Sequence, residues 1–233
     1  MKASHWRISV LAGCTAFGLL SAIVATTTLA AEKLPDGMKL VRIEAQPAAI
    51  ELNNPFAYRQ LLLTGVLENG DRLDVTRMAQ PVGTAEIVQV SDGRLVRPKA
   101  DGASELRFEL AGHSVAVPVK VSGTTTPYNV SFVRDVMPAM SKLGCNAGTC
   151  HGAAKGKAGF KLSLRGYDPV TDHLSLTDDL AARRFNPAAP EQSLMLLKPS
   201  GSVPHVGGVL TKPGEPSYEL LKMWIAGSAK LDA

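Results

Sequence analysis

From Lys39 to about Gly123 the apolar side chains tend to recur at every second position, and beyond residue 127 they recur every third or fourth. Strands have a period of two and helices a period of 3.6, so the chain must hold two differently built parts. Val115, Val117, Val119 and Val121 alternate with Ala116, Pro118 and Lys120, which places the valines on one face of a strand. Leu61, Leu63 and Val66 lie in an apolar run that ends at Asn69-Gly70, a strong short hairpin signal. Asp92-Gly93 and Gly112-His113 mark further turns at the spacing of a small antiparallel sandwich.

Gly123-Thr124-Thr125-Thr126-Pro127 reads as a linker, small and polar and closed by a proline. After it, Val133, Val136, Met137, Met140 and Leu143 fall at helical spacing. Pro138 is tolerated if the helix begins near it and ends at Gly144. Glu191 to Lys198 reads as a second short helix. Tyr218, Leu221, Trp224 and Ile225 form the apolar stripe of a third, which Gly227 terminates.

The first 31 residues have their own pattern. Lys2 and Arg7 precede an apolar run from Ile8 to Ala25, and small residues follow up to Ala30-Ala31. That order is a secretory signal peptide, cleaved after Ala30 or Ala31. Two rivals are a lipoprotein signal ending at Cys14 and an uncleaved anchor, and only these would bring a membrane into the account. Cleavage removes Cys14 and His5 and lowers the formal net charge from +4 to +2. So small an excess excludes a nucleic-acid reading. The implied location is periplasmic, secreted or at the cell surface.

The remaining cysteines sit in Cys145-Asn146-Ala147-Gly148-Thr149-Cys150-His151-Gly152. In a c-type haem site two thiols add to the vinyl groups of the porphyrin, and the histidine after the second thiol becomes an axial iron ligand. Adjacency matters because the thioether at Cys150 holds the ring where the next imidazole reaches its iron. The usual spacing has two residues between the cysteines, whereas here there are four. Small residues such as Ala147 and Gly148 let the longer loop bulge outward. Two other readings are a local Cys145–Cys150 disulfide and a structural metal held with His151 and another histidine. Aromatic residues make up only 5% of the chain, so a buried haem would add a large apolar body to a sparse core.

Several stretches resemble known families. Val41-Arg42-Ile43, Gln60 to Gly65, Asn69-Gly70-Asp71 and Asp74-Val75-Thr76 resemble the bacterial immunoglobulin-like group 2 domain over about 80 residues. Ser131 to Pro138, Gly144 to Gly152, Gly159 to Pro169 and Trp224 to Gly227 resemble the cytochrome c domain of large secreted planctomycete proteins, over about 100 residues. The immunoglobulin-like module often lies just upstream in those proteins, the order found here. The resemblance implies two domains, an all-β immunoglobulin-like sandwich and a mainly α cytochrome c-like domain. The expected boundaries are 1–31 for the signal, 38–122 for the sandwich, 123–128 for the linker and 129–233 for the haem domain.

The second axial ligand is sought in the loop before the last helix, where common cytochromes of this class place a methionine. Here Ser200 to Gly208 holds His205 and no methionine. Pro204 stiffens its approach, and Gly207 and Gly208 let backbone pass close to a porphyrin. His205 is therefore the expected distal ligand. The alternatives are Met137, Met140, Met195 or Met223, read otherwise as core filling, then His173, read otherwise as exposed beside Asp172, and finally an open iron. A six-coordinate haem has no vacancy for substrate, so the expectation is one covalent haem c carrying electrons, with no catalytic residues. Lys155, Lys157, Lys161, Arg165, Arg183 and Arg184 either ring a haem edge that steers an acidic redox partner, or form an ordinary solvated face. The rival functions are a non-enzymatic surface-binding module with a disulfide, and an open-site haem sensor or enzyme. No small-molecule substrate is implied.

Overall fold

The structure is a computed structural model and describes residues 32–83, 85–179 and 183–232. The signal segment at 1–31 lies outside the described residues. Residues 33–233 form one compact unit.

All the described strands lie between Leu40 and Val121: β1 (Leu40–Gln46), β2 (Ile50–Leu52), β3 (Arg59–Gln60), β4 (Leu62–Leu67), β5 (Arg72–Asp74), β6 (Gln80–Val82), β7 (Val88–Val90), β8 (Leu95–Pro98), β9 (Gly102–Leu110) and β10 (His113–Val121). They form three sheets, ordered β1-β4-β5, β2-β10-β9-β6 and β3-β8-β7. Each expected turn joins the strands beside it. Gly70 takes a φ of +86° between β4 and β5, a region open to glycine without strain. Asp92-Gly93 joins β7 to β8, and Ala111-Gly112 joins β9 to β10, one residue earlier than the expected Gly112-His113 because His113 already pairs with Leu110.

The valine alternation in β10 is as read. Val117, Val119 and Val121 are buried, while Ala116, Pro118 and Lys120 are exposed. They pack with Ile50, Leu52, Leu61, Leu63 and Phe108 in one core. Each such aliphatic side chain contributes on the order of 1.5–3 kcal/mol by leaving water. Arg94 is buried beside that core. Its guanidinium donates to the carbonyls of Thr76 and Ala79 and lies 5.2 Å from the centroid of Phe108.

The segment expected as a linker is fastened. Asp101 accepts hydrogen bonds from the Gly123 and Thr124 amides and from the Thr124 hydroxyl. Its own carboxylate, not the small side chains alone, decides the path of the chain out of β10.

Beyond Phe132 the described structure is helix and loop. A π-helical turn (Phe132–Val136) runs into α1 (Met137–Lys142), and α2 (Pro169–Thr177), α3 (Leu194–Leu197) and α4 (Pro216–Ala226) follow. Pro138 falls in the first turn of α1, where its missing amide costs nothing. The second expected helix is shorter than read, because a separate 3-10 turn at Pro190–Gln192 precedes α3. α2 escaped the periodicity argument, since Asp172, Ser175 and Thr177 supply much of its buried face. α4 is as expected, with Tyr218, Leu221, Trp224 and Ile225 buried and Gly227 at its C-cap. These side chains form a second core with Phe132, Val136, Met137, Met140, Leu162 and Leu196. None of the helices among the described residues is long and apolar enough to cross a membrane.

The last described residues return to where this part begins. The Asp232 carboxylate accepts from the Ser131 hydroxyl at 2.6 Å and from the amides of Phe132 and Val133 at 3.2 and 2.7 Å. Trp224 Nε1 donates to the Lys230 carbonyl at 3.0 Å, which ties the same tail to α4.

Candidate functional site

α1 ends at Leu143, and Gly144 at φ +78° turns the chain out of the helix. Cys145 follows with its amide bonded to the Met140 carbonyl at 2.9 Å, so the helix end fixes its position. The four intervening residues then fold into a closed loop. Cys150 N–H donates to Ala147 at 2.9 Å, and His151 N–H donates to Cys145 at 3.0 Å. Cys145 and His151 are thereby held at the two ends of one hydrogen bond despite the long spacing.

The excursion points outward at Gly148 and Thr149, both exposed, as their size and polarity require. Asn146 goes inward. It is buried, its amide donates to the Ser141 hydroxyl at 2.7 Å, and its carbonyl accepts from the Arg165 amide at 3.0 Å. Gly152 passes so close that a Cβ there would collide with the Asn146 carbonyl.

His151 is half-buried. Its Nδ1 lies 3.1 Å from the Phe160 carbonyl and its ring centroid 4.6 Å from that of Phe160. A carbonyl only accepts, so the bond puts the proton on Nδ1 and leaves a lone pair on Nε2. A tight turn delivers Phe160, with Ala158 and Gly159 both at positive φ and Lys157 bridged to Phe160. Arg184 packs on the same ring. Its guanidinium lies 4.2 Å from the Phe160 centroid and donates to the carbonyls of Ser175 and Asp179 at 3.0 and 3.3 Å. Arg184 is buried, so it does not belong to the basic face on which sequence placed it, because the end of α2 and an aromatic ring take up its charge and stem. Lys155, Lys157, Lys161, Arg165 and Arg183 are exposed.

His205 stands in the loop after α3, held by Lys198 Nζ on the Pro204 carbonyl at 3.1 Å and by Gly208 N–H on the His205 carbonyl at 3.0 Å. Its Nδ1 lies 3.0 Å from the Gly208 carbonyl, which again assigns the proton to Nδ1 and frees Nε2. Gly207 allows this ring position, since a Cβ there would lie 2.8 Å from the imidazole. Val206, beside it, is 88% exposed, and Leu164, beside the Cys145–His151 loop, is 53% exposed.

Burial pushes the Cys145 thiol up to about 11, helped by the neighbouring Cys150, so it is protonated at neutral pH. Both cysteines are free thiols. Burial lowers the pKa of His151, the hydrogen bond to the Phe160 carbonyl works in the opposite direction, and electrostatic repulsion from the His205 side lowers it further. Among the described residues no three His, Cys, Asp or Glu side chains are grouped to hold a metal ion, so the structural-metal reading finds no ligand set there.

His173 corrects its sequence reading as an exposed side chain. Its Nε2 lies 2.7 Å from the Ala229 carbonyl, Nδ1 faces the Thr177 hydroxyl, and the ring meets Phe132 edge-on at 5.2 Å. With both nitrogens engaged it is a packing residue. Met137 and Met140 are buried in the helical core, Met195 packs against it, and Met223 is 40% exposed.

The donor chemistry fits a covalently attached haem. Two unpaired thiols stand within six residues of an imidazole whose Nε2 is unprotonated, and a second imidazole has the same tautomer. Sequence reasoning did not foresee the parts played by Phe160 and Asp172. Asp172 accepts from the Ser163 hydroxyl at 2.7 Å and from the Ser163 amide, and so fixes the strand-like segment after Phe160. Nothing in the sequence separates it from a solvated helix acid. No protein-family model matches the chain, and no curated protein matches it.

Proposed function

We propose that this protein is an exported single-haem c-type cytochrome that relays electrons, built from an immunoglobulin-like module and a cytochrome c-like module. The observation that carries the reading is the matched pair of imidazoles. His151 and His205 each donate Nδ1–H to a backbone carbonyl, which fixes the tautomer and leaves Nε2 free to ligate an iron. The bound haem would supply a one-electron couple.

Cys145 and Cys150 would hold it, each S–H adding across one vinyl C=C, with no oxidant required. His151 and His205 would be the proximal and distal ligands. Phe160, itself backed by Arg184, keeps the His151 ring from turning, and the Phe160 carbonyl raises its basicity. Exposed Val206 and Leu164 offer apolar surface beside the two ligands. Lys155, Lys157, Lys161 and Arg165 would meet an acidic redox partner. Two imidazoles favour ferric iron, so the potential should lie below that of a histidine–methionine site.

The test is a pyridine haemochrome spectrum of protein made in a host with c-type maturation, taken after denaturation and acid-acetone extraction. Haem that stays with the polypeptide supports thioether attachment. Loss of all haem, while a control of the same cysteine spacing keeps its own, overturns the reading. In His205→Ala the ferrous protein should gain the ability to bind carbon monoxide.

A further inference from the structure

Two arginines are buried among the described residues, and they differ in what their charge can reach. Arg94 packs on Phe108 inside the sheet core, with its donors on the carbonyls of Thr76 and Ala79. Arg184 repeats that device on Phe160, with its donors on the carbonyls of Ser175, Asp179 and Gly159. Phe108 leads back into an aliphatic core, whereas Phe160 leads to His151. Contacts of 4.2 and 4.6 Å join guanidinium to phenyl ring and phenyl ring to imidazole.

The charge on Arg184 has no contact of opposite sign. Among the described residues no carboxylate lies at salt-bridge distance from it. Asp179, which attracts it, is exposed, so water screens that carboxylate. Asp172 is buried on α2, but its oxygens face the Ser163 amide and hydroxyl. Three carbonyls thus satisfy the guanidinium without cancelling its charge. Holding a positive charge out of water costs free energy, and a neutral side chain of similar length would pack on Phe160 without that cost.

We propose that the buried charge of Arg184 raises the reduction potential of the His151 site. The inference rests on the reading of His151 as an iron ligand and adds what tunes that site. A ferric site that takes up one electron loses one unit of positive charge, so a fixed cation nearby favours the reduced state. Wherever Nε2 points, an iron on it stays one bond from this ring. Two imidazoles favour ferric iron, and Arg184 opposes them.

The test is redox titration of the haem-loaded whole chain and its variants, with the haem-to-protein ratio read on each. Arg184→Gln and Arg184→Met are two neutral replacements, and Arg184→Lys keeps the charge. Each neutral variant should favour the ferric state about tenfold, a fall of about 59 mV for one electron. The fall should persist at high salt, because the charge is buried. Arg184→Lys should stay within about threefold of the parent, although it loses stability. Lys120→Gln, which removes an exposed charge from β10, should leave the potential in place.

Haem retained at a potential that both neutral variants leave unmoved overturns this proposal alone. So does an equal fall in Arg184→Lys, which would assign the effect to packing. A parent chain that retains no haem overturns the cytochrome reading and this proposal with it.

Discussion

His151 meets Phe160 twice, through a hydrogen bond from Nδ1 to the backbone carbonyl at 3.1 Å and through its ring at 4.6 Å between centroids. One residue thus sets both the tautomer and the plane of the imidazole, and the Arg184 guanidinium lies 4.2 Å from the Phe160 ring centroid. The arrangement does not rest on the cysteines.

Phe160→Ala should therefore keep the hydrogen bond and lose the plane. It should cost about 2–3 kcal/mol in urea unfolding, below the usual range for a fully buried ring because Phe160 is only half-buried. Arg184→Lys should cost about 1–2 kcal/mol, because a lysine offers one nitrogen where the guanidinium uses two, Nη1 on Ser175 and Asp179 and Nη2 on Gly159, and has no plane to lay on Phe160. If Phe160→Ala leaves both stability and the haem spectrum unchanged, its role at the site is refuted.

Gly152 and Gly148 lie in the same loop and should respond in opposite ways. Gly152→Ala drives a methyl into the Asn146 carbonyl, and it should cost about 2 kcal/mol or more and lower the yield of retained haem. Gly148→Ala meets Leu164 at 3.6 Å, an ordinary contact, and should change stability by less than about 0.5 kcal/mol. Melting curves and the haem-to-protein absorbance ratio of the two variants decide this.

The Asp232 carboxylate gives the helical part an acid-sensitive fastening. Partial burial raises its pKa, but the hydrogen bonds from Ser131, Val133 and Phe132 outweigh this and hold it below the ordinary aspartate value. A depressed carboxyl contributes stability above its unfolded pKa and loses it as pH falls through the folded one. Asp232→Asn should thus be about 1 kcal/mol less stable than the parent at pH 7, and the gap should close in strongly acidic solution. A gap that stays constant from neutral to strongly acidic pH would refute the assignment.

His205→Met should keep a sixth ligand while exchanging an imidazole for a thioether. The reduction potential should rise, and carbon monoxide should still be excluded from the ferrous protein. A potential that does not move would mean that His205 is not a ligand, and redox titration reads this directly.

Much of the strand part was legible because its turns carry Asn69-Gly70, Asp92-Gly93 and Gly112 and its strands alternate, although His113, read with the last turn, opens β10. α4 was legible for the same reason, with a clean apolar stripe and a terminal glycine. α2 was not, because its buried face is built from Asp172, Ser175 and Thr177, which look solvated until their partners are known. At the site, the Cys-His adjacency and the lone histidine of the 200–208 loop were visible. The supports of His151 were not, since Phe160 reaches it from 9 residues along the chain and Arg184 reaches Phe160 from 24 further on, and no local pattern carries such contacts. The same limit misplaced Arg184 on the surface and hid the packing of His173.

The closure between Ser131 and Asp232 also governs how the helical part bears load. A pull on the chain at both ends of this part would fall first on three hydrogen bonds around one carboxylate. The loop from Cys145 to His151 lies inside that closure and stays slack until it opens. Tension on a tethered molecule would then reach the candidate site only after the Asp232 clasp had given way.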